Sequence, residues 1–225
     1  MNASLPDLSV VIPVRNDAAG LVRLLAALSA FRSLEVIVVD GESSDDSAAV
    51  ARRLGATVVQ CAPGRGQQLS LGCTHARGQW LWLLHADSQI DQAAVTFIRS
   101  QRVPGWGRFD VGFEPDSPGL DLVAGMMNLR SRLTGICTGD QGLFVHRRLL
   151  EVAGGIPEQS LMEDVELSRR LKRFSRPVCS RVRLWTSSRR WRRDGLIHTI
   201  YQMWRYRLRY WWGEDPEVLA REYYD

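Results

Sequence analysis

The 225-residue sequence has only four cysteines, and none stands in a CxxC pair. Cys61, Cys73, Cys137 and Cys179 are too scattered for a zinc site or a disulfide framework, so a reduced, cytoplasmic compartment is expected. There is also no N-terminal basic segment leading into an apolar run. No window approaches the roughly 18 uninterrupted apolar residues of a membrane-spanning helix, so the chain reads as neither secreted nor transmembrane. Repeats, low-complexity tracts and an obvious linker are missing as well, and tyrosine does not occur before Tyr201. What remains is an ordinary globular composition, 45% apolar and 24% charged. A chain of this length can bury the core of one α/β domain but is short for two, so a single domain over 1–225 is expected.

Within that composition the first half alternates short apolar runs with amphipathic stretches. LSVVIPV from Leu8, LEVIVV from Leu34, ATVVQC from Ala56 and WLWLLHA from Trp80 read as strands, with helices over Ala18–Phe31, Asp45–Leu54 and Gln67–Arg77 between them. Continuous apolar strands joined by helices require a sheet covered on both faces, with right-handed crossovers. Asp17 marks the start of the first helix, and Ser43 or Ser44 the start of the second. The second half is mixed. Strands at Arg108–Phe113, Gly142–His146 and Val178–Trp185 are interleaved with helices over Leu120–Leu133 and from Ser160, and a long basic helix and a short acidic one close the chain.

In an open parallel sheet, ligands bind beyond the carboxyl ends of the strands, and the polar residues there form a consistent set. Arg15 and Asn16 follow the first strand; Asp40 and GESSDDS follow the second; PGRG follows the third; His85, Ala86 and Asp87 follow the fourth. Asp40 fits a turn or a ligand contact equally well. Arg65, between Gly64 and Gly66 at the start of a helix, suits a diphosphate better than solvent. Asp87 either caps a helix starting near Asp91 or, as the neighbouring sites favour, binds a metal. In LMEDVELSRRLKR, Glu163 is expected to complete a capping box with Ser160, and Glu166 to pair with Arg169 and Arg170. Asp164 has no such local partner and is the candidate general base.

SVVIPVRN, VIVVDGESSDDS, GRGQQLSLG, LHADS and MEDVELSRRL, in that order, resemble the family-two glycosyltransferases from end to end. GRFDV, MNLRSRLTG and TGDQGLFV resemble a small bacterial subset labelled arsenosugar-biosynthesis-associated. The resemblance implies a GT-A fold, a Rossmann-like three-layer α/β/α sandwich with a mixed, mainly parallel central sheet and C-terminal helices. It divides the chain into a nucleotide-sugar half (1–105), an acceptor and catalytic half (106–186) and a basic, aromatic helical segment (187–225). It further implies that Pro13 and Arg15 border the nucleotide, that Asp40 contacts the base, and that Arg65 lies near the base or diphosphate. Asp87 would hold Mg2+ or Mn2+, Asp140 would lie near the transferred sugar or acceptor, and Asp164 would be the base of an inverting transfer. The donor would be a UDP or GDP sugar and the acceptor a free hydroxyl. The sequence departs from the family pattern at His85, where an acidic residue is usual, at Gly41 in place of a second aspartate, and at Ser70 in place of asparagine.

Other classes fit less well. Gly64, Gly66 and Asp87 imitate a dinucleotide fingerprint, but Gly72 falls three places too late. A sugar nucleotidyltransferase, the main alternative, needs a glycine-rich basic loop where this chain has PVRNDAAG. A nucleic-acid-binding role for the tail explains none of the strand-end sites, so no nucleic-acid partner is expected. In the tail, Ile197, Tyr201, Trp204, Leu208 and Trp211 form an apolar helical stripe expected to pack on the domain. Nine arginines lie between Arg181 and Arg209 with Asp194 the only acid among them. That surplus, with Tyr206 and Tyr210 on the far face, predicts a salt-sensitive peripheral association with an anionic membrane, bringing the site to a lipid-linked or membrane-proximal acceptor.

Overall fold

A computed structural model describes residues 6–224. The first four strands, β1 (Leu8–Val14), β2 (Leu34–Asp40), β3 (Thr57–Gln60) and β4 (Trp80–Leu83), coincide with the apolar runs and alternate with helices α1 (Ala18–Leu28), α2 (Ser47–Arg53) and α3 (Arg65–His75). There follow α4 (Gln92–Arg99), β5 (Trp106–Glu114), α5 (Pro118–Thr134), β6 (Phe144–His146), α6 (Arg147–Val152), α7 (Glu163–Lys172) and β7 (Val178–Ser187). Helices α8 (Arg189–Asp194), α9 (Leu196–Trp211) and α10 (Pro216–Tyr224) close the chain. The seven strands form one sheet in the order β3-β2-β1-β4-β6-β5-β7. It is mixed and mainly parallel, because β6 runs antiparallel to both β4 and β5.

Each face of the sheet is covered. Val10, Ile12, Trp82, Phe109 and Phe144 pack under α1 and α4, while Val11, Val39, Leu81, Leu83 and Val145 pack under α3, α6 and α7. Successive residues of one strand thus supply opposite faces, as the pleat demands. A third cluster joins Val111 and Phe113 to α5 and to Trp191, Leu196, Ile200 and Met203 of the tail. On β5, fully buried Arg108 pairs with Asp110, which also takes Arg132 Nη2 at 2.8 Å. The side chain of Asn128 donates to Val111 O (3.1 Å) and accepts from Val111 N (2.9 Å), which fixes α5 on the sheet.

Several local expectations need correction. Asp17 caps α1 as expected, accepting from Gly20 N, but α2 starts after Asp46. Ser43 and Ser44 instead bond Asn16 across the strand-end loops. Helix α3 starts at Arg65, two residues early, and α6 is a helix of six residues, too short for periodicity to reveal. No capping box joins Ser160 and Glu163; α7 follows Met162, which has φ 64° and makes no side-chain cap. The tail stripe does not pack inward: Ile197 is 83% exposed and Trp211 78%. The neighbouring face of α9, with Leu196, Thr199, Ile200, Met203 and Tyr206, is the one that packs, because burying it completes two core clusters at once.

Candidate active site

The carboxyl ends of β1, β2 and β4 deliver the first group of side chains. Half-buried Pro13 and exposed Arg15 leave β1 beside the loop that Asn16 ties to Ser44. Asp40 is the last residue of β2 and is 1% exposed. Its Oδ2 accepts from Ser43 N (3.3 Å) and Gln60 Nε2 (3.2 Å), whereas buried Oδ1 has no hydrogen-bond partner among the described residues. Leaving a buried acceptor unmet costs stability. Gly41 has a steric reason: Gln68, bonded to Val14 O and Val39 O, fills the space a side chain would need.

Beyond β4 the backbone turns through His85 and Asp87. The helix-capping role falls to Asp91, which accepts from Ala94 N at 3.0 Å, so Asp87 is not the cap of α4. Its carboxylate accepts from Thr186 Oγ1 at 3.5 Å. His85 Nε2 is buried without a hydrogen bond among the described residues and lies 3.9 Å from Asp140 Oδ1. Burial, then the Arg65 charge, pushes this imidazole down to about 3 against the pull of Asp87 and Asp164, so it is neutral at physiological pH. A neutral imidazole and a carboxylate two residues apart can share a hard divalent cation. Among the described residues no three His, Cys, Asp or Glu side chains cluster to hold a metal.

The second half of the chain supplies the opposite wall. Arg65, in the first turn of α3, pairs through Nε with Glu163 Oε1 at 2.9 Å. Glu163 is therefore part of the site and not a helix cap. Burial pushes it up to about 7; Arg65 pulls the other way and the adjacent Asp164 charge adds to the rise. Asp164 Oδ2 accepts from Gly139 N at 2.9 Å, which joins α7 to a short 3-10 turn, Gly139–Gln141. That turn is held from behind by Gln141, whose Nε2 donates to Ser131 Oγ (3.0 Å) and Asn128 Oδ1 (3.3 Å), and it presents Asp140. Burial raises the Asp140 carboxyl, with Arg65 opposing and Asp164 reinforcing. Gly139 permits the convergence: a Cβ there would lie 2.0 Å from Arg65 Nη2 and 2.4 Å from His85 Nε2.

Arg65, His85, Asp87, Asp140 and Asp164 thus gather in one electrostatically connected group, with Asp40 at the neighbouring strand end. Reading the sequence missed Glu163, Gly139, Arg130 and Arg207. The last two lie on α5 and α9, and the charges of Asp164 and Asp140 act on Arg207. A helical projection of α9 sets Arg207 between Met203 and Tyr210 on the packed face, the one signal that could have found it. A second concavity, lined by Leu34, Glu35, Gly55 and Arg77, opens at the amino ends of β2 and β3, and its Glu35 is already engaged by Arg77 and Ser9.

Residues 9–96 match the model of glycosyl transferase family 2. An uncharacterized glycosyltransferase of Mycobacterium tuberculosis is 33% identical over 144 residues, which are 59% of this chain and 55% of the relative. The chain therefore spans about half the length of that relative. A mannosyltransferase from Pyrobaculum calidifontis in complex with GDP-Man and Mn2+ superposes with a TM-score of 0.64 at 20% identity, over 91% of this chain and 61% of the other. Glucosyl-3-phosphoglycerate synthase from M. tuberculosis, in complex with Mn2+, UDP and phosphoglyceric acid, gives 0.56 at 20% identity, over 80% and 69%. The fold is that of the GT-A glycosyltransferases. None of these three relatives carries an arsenosugar label.

Proposed function

We propose that this chain transfers a glycosyl group from a nucleoside diphosphate sugar, UDP- or GDP-linked, to an acceptor hydroxyl, assisted by a divalent cation and with inversion. The observation that carries this reading is the gathering of Arg65, His85 and Asp87 with Asp140 and Asp164, while Asp40 ends β2, two strands from β4 in the same sheet. The unmet Asp40 Oδ1 faces the nucleoside, Arg65 the diphosphate, and His85 with Asp87 would hold the cation. When bound, that cation neutralises charge on the leaving diphosphate. Asp164 takes the hydroxyl proton as the acceptor oxygen bonds to the anomeric carbon, and the electron pair of the breaking C–O bond leaves with the diphosphate. Gly139 N holds the Asp164 carboxylate in place, and Asp140 orients the sugar or acceptor. The Mn2+ and nucleotides held by the two solved relatives support the donor class.

Calorimetry with UDP, GDP and TDP, each with and without Mn2+, tests the donor side. Tight binding of UDP or GDP that depends on the metal is expected; binding no stronger with Mn2+ than without it would refute the assignment of Asp87.

A peripheral membrane location is a second reading, carried by the exposed stripe of α9 and a matching row on α5, Leu122, Met126, Leu129 and Leu133. The structure changes its electrostatic half. Arg205 pairs with Glu222, and Arg209 with Glu214 and Glu222, so those cations are already satisfied within the tail. Apolar insertion, more than arginine, would supply the attachment.

A further inference from the structure

Two arginines beside the carboxylates have no employment in the donor site. Arg130 Nε and Nη2 are buried without a hydrogen-bond partner, and among the described residues no ion pair or hydrogen bond engages the guanidinium of Arg207. The helices that carry them pack together, with Met127 of α5 and Met203 of α9, one turn before each arginine, in one core cluster. Burial, then the Arg207 charge, pushes Arg130 down to about 10, with Asp164 pulling it back. Arg207 in turn is lowered by burial and sustained by Asp164 and Asp140. Holding two like charges together with unmet donors costs stability, and such a defect persists where a ligand corrects it. Asp164 figures among the charges felt by both arginines.

We propose that Arg130 and Arg207 form an anion-binding subsite for the acceptor, and that the hydroxyl-bearing substrate carries a phosphate group that bridges the two guanidiniums beside Asp164. The inference rests on the transferase reading for the word acceptor, while the anion site itself does not. A phosphate suits the pair because its oxygens accept from two forked donors at once and its charge removes their repulsion. In the transferase reading Arg65 and the cation would serve the donor diphosphate, so the second phosphate belongs to another molecule. It is either a soluble phosphate ester or the headgroup of a lipid resting on α5 and α9.

Calorimetry on the full chain with sn-glycerol 3-phosphate, and with glycerol as control, separates these cases when run with and without saturating UDP or GDP and Mn2+. The phosphate ester is expected to bind, glycerol not, and binding should persist with nucleotide in place. Arg130→Gln and Arg207→Gln should each weaken it about tenfold or more, as loss of a charge-assisted hydrogen bond does, and leave nucleotide affinity unchanged. Both variants should melt no lower than wild type, since each removes one of two repelling cations, and Arg130→Lys should recover part of the binding. If vesicles containing phosphatidic acid bind with the same arginine dependence while the soluble ester does not, the phosphate is a lipid's. Absence of binding by either, displacement of the ester by nucleotide one for one, or full binding in both Gln variants overturns the proposal. Phosphate binding without any nucleotide binding would instead sink the transferase reading and leave the anion site standing.

Discussion

Glu163 and Asp164 are neighbours in sequence with different tasks, and the difference comes from what each carboxylate touches. Asp164 is held by a backbone N–H and opens to the recess, so Asp164→Asn should keep fold and nucleotide binding, since its amide oxygen can still accept from Gly139 N. Turnover should fall about 10²–10⁴-fold, the usual worth of a general base; near-normal turnover with a true acceptor would move that role to Asp140. Glu163 is a buried acid whose folded pKa, about 7, lies above its ordinary 4.5. Between those values the folded state binds more proton than the unfolded one. The stability this gives is full below pH 4.5 and is lost as pH rises through 7. Melting temperatures of wild type and Glu163→Gln from pH 4.5 to 8 should therefore show the wild type's relative stability declining over that interval. His85, shifted downward, contributes the opposite slope to both proteins and cancels in the difference. A difference that grows with pH would mean Glu163 is ionised throughout by Arg65.

At the scale of elements, α9 carries two apolar faces. One buries Leu196, Ile200, Met203 and Tyr206; the other leaves Tyr201, Trp204, Leu208 and Trp211 exposed. Periodicity identifies the stripes but cannot rank them, because both obey the same helical repeat. The packed face won because Leu196 and Met203 complete the cluster of Phe113 and Met127, while Tyr206 reaches the carbonyl of Glu222 at 3.0 Å. Sedimentation with liposomes tests the exposed face. Wild type should pellet with vesicles and Trp204→Ser/Trp211→Ser should not, with equal melting temperatures since neither tryptophan is in the core. Raising salt should reduce pelleting only modestly, given the paired arginines; no pelleting of wild type with either anionic or neutral vesicles removes the membrane reading.

Over the whole molecule, the site is closed by contacts between distant parts of the chain. Arg189 pairs with Asp17 at 3.0 Å, which ties the start of the tail to the first helix, and Gln159 Nε2 donates to Tyr210 Oη at 3.3 Å above α7. The sequence by itself determined the four parallel strands, the strand-end positions of Asp40, Arg65, His85 and Asp87, and the separateness of Asp164 from its helical neighbours. These follow from local rules of strand pattern, turn and cap that need no knowledge of the rest of the chain. Only the tertiary structure decided that Glu163 faces Arg65, that Gly139 must lack a side chain, and that Arg130 and Arg207 both come within the influence of the Asp164 charge. Those are packing outcomes between residues as far apart as 98 positions, the separation of Arg65 and Glu163, and a local pattern carries no information about which buried charge finds which partner.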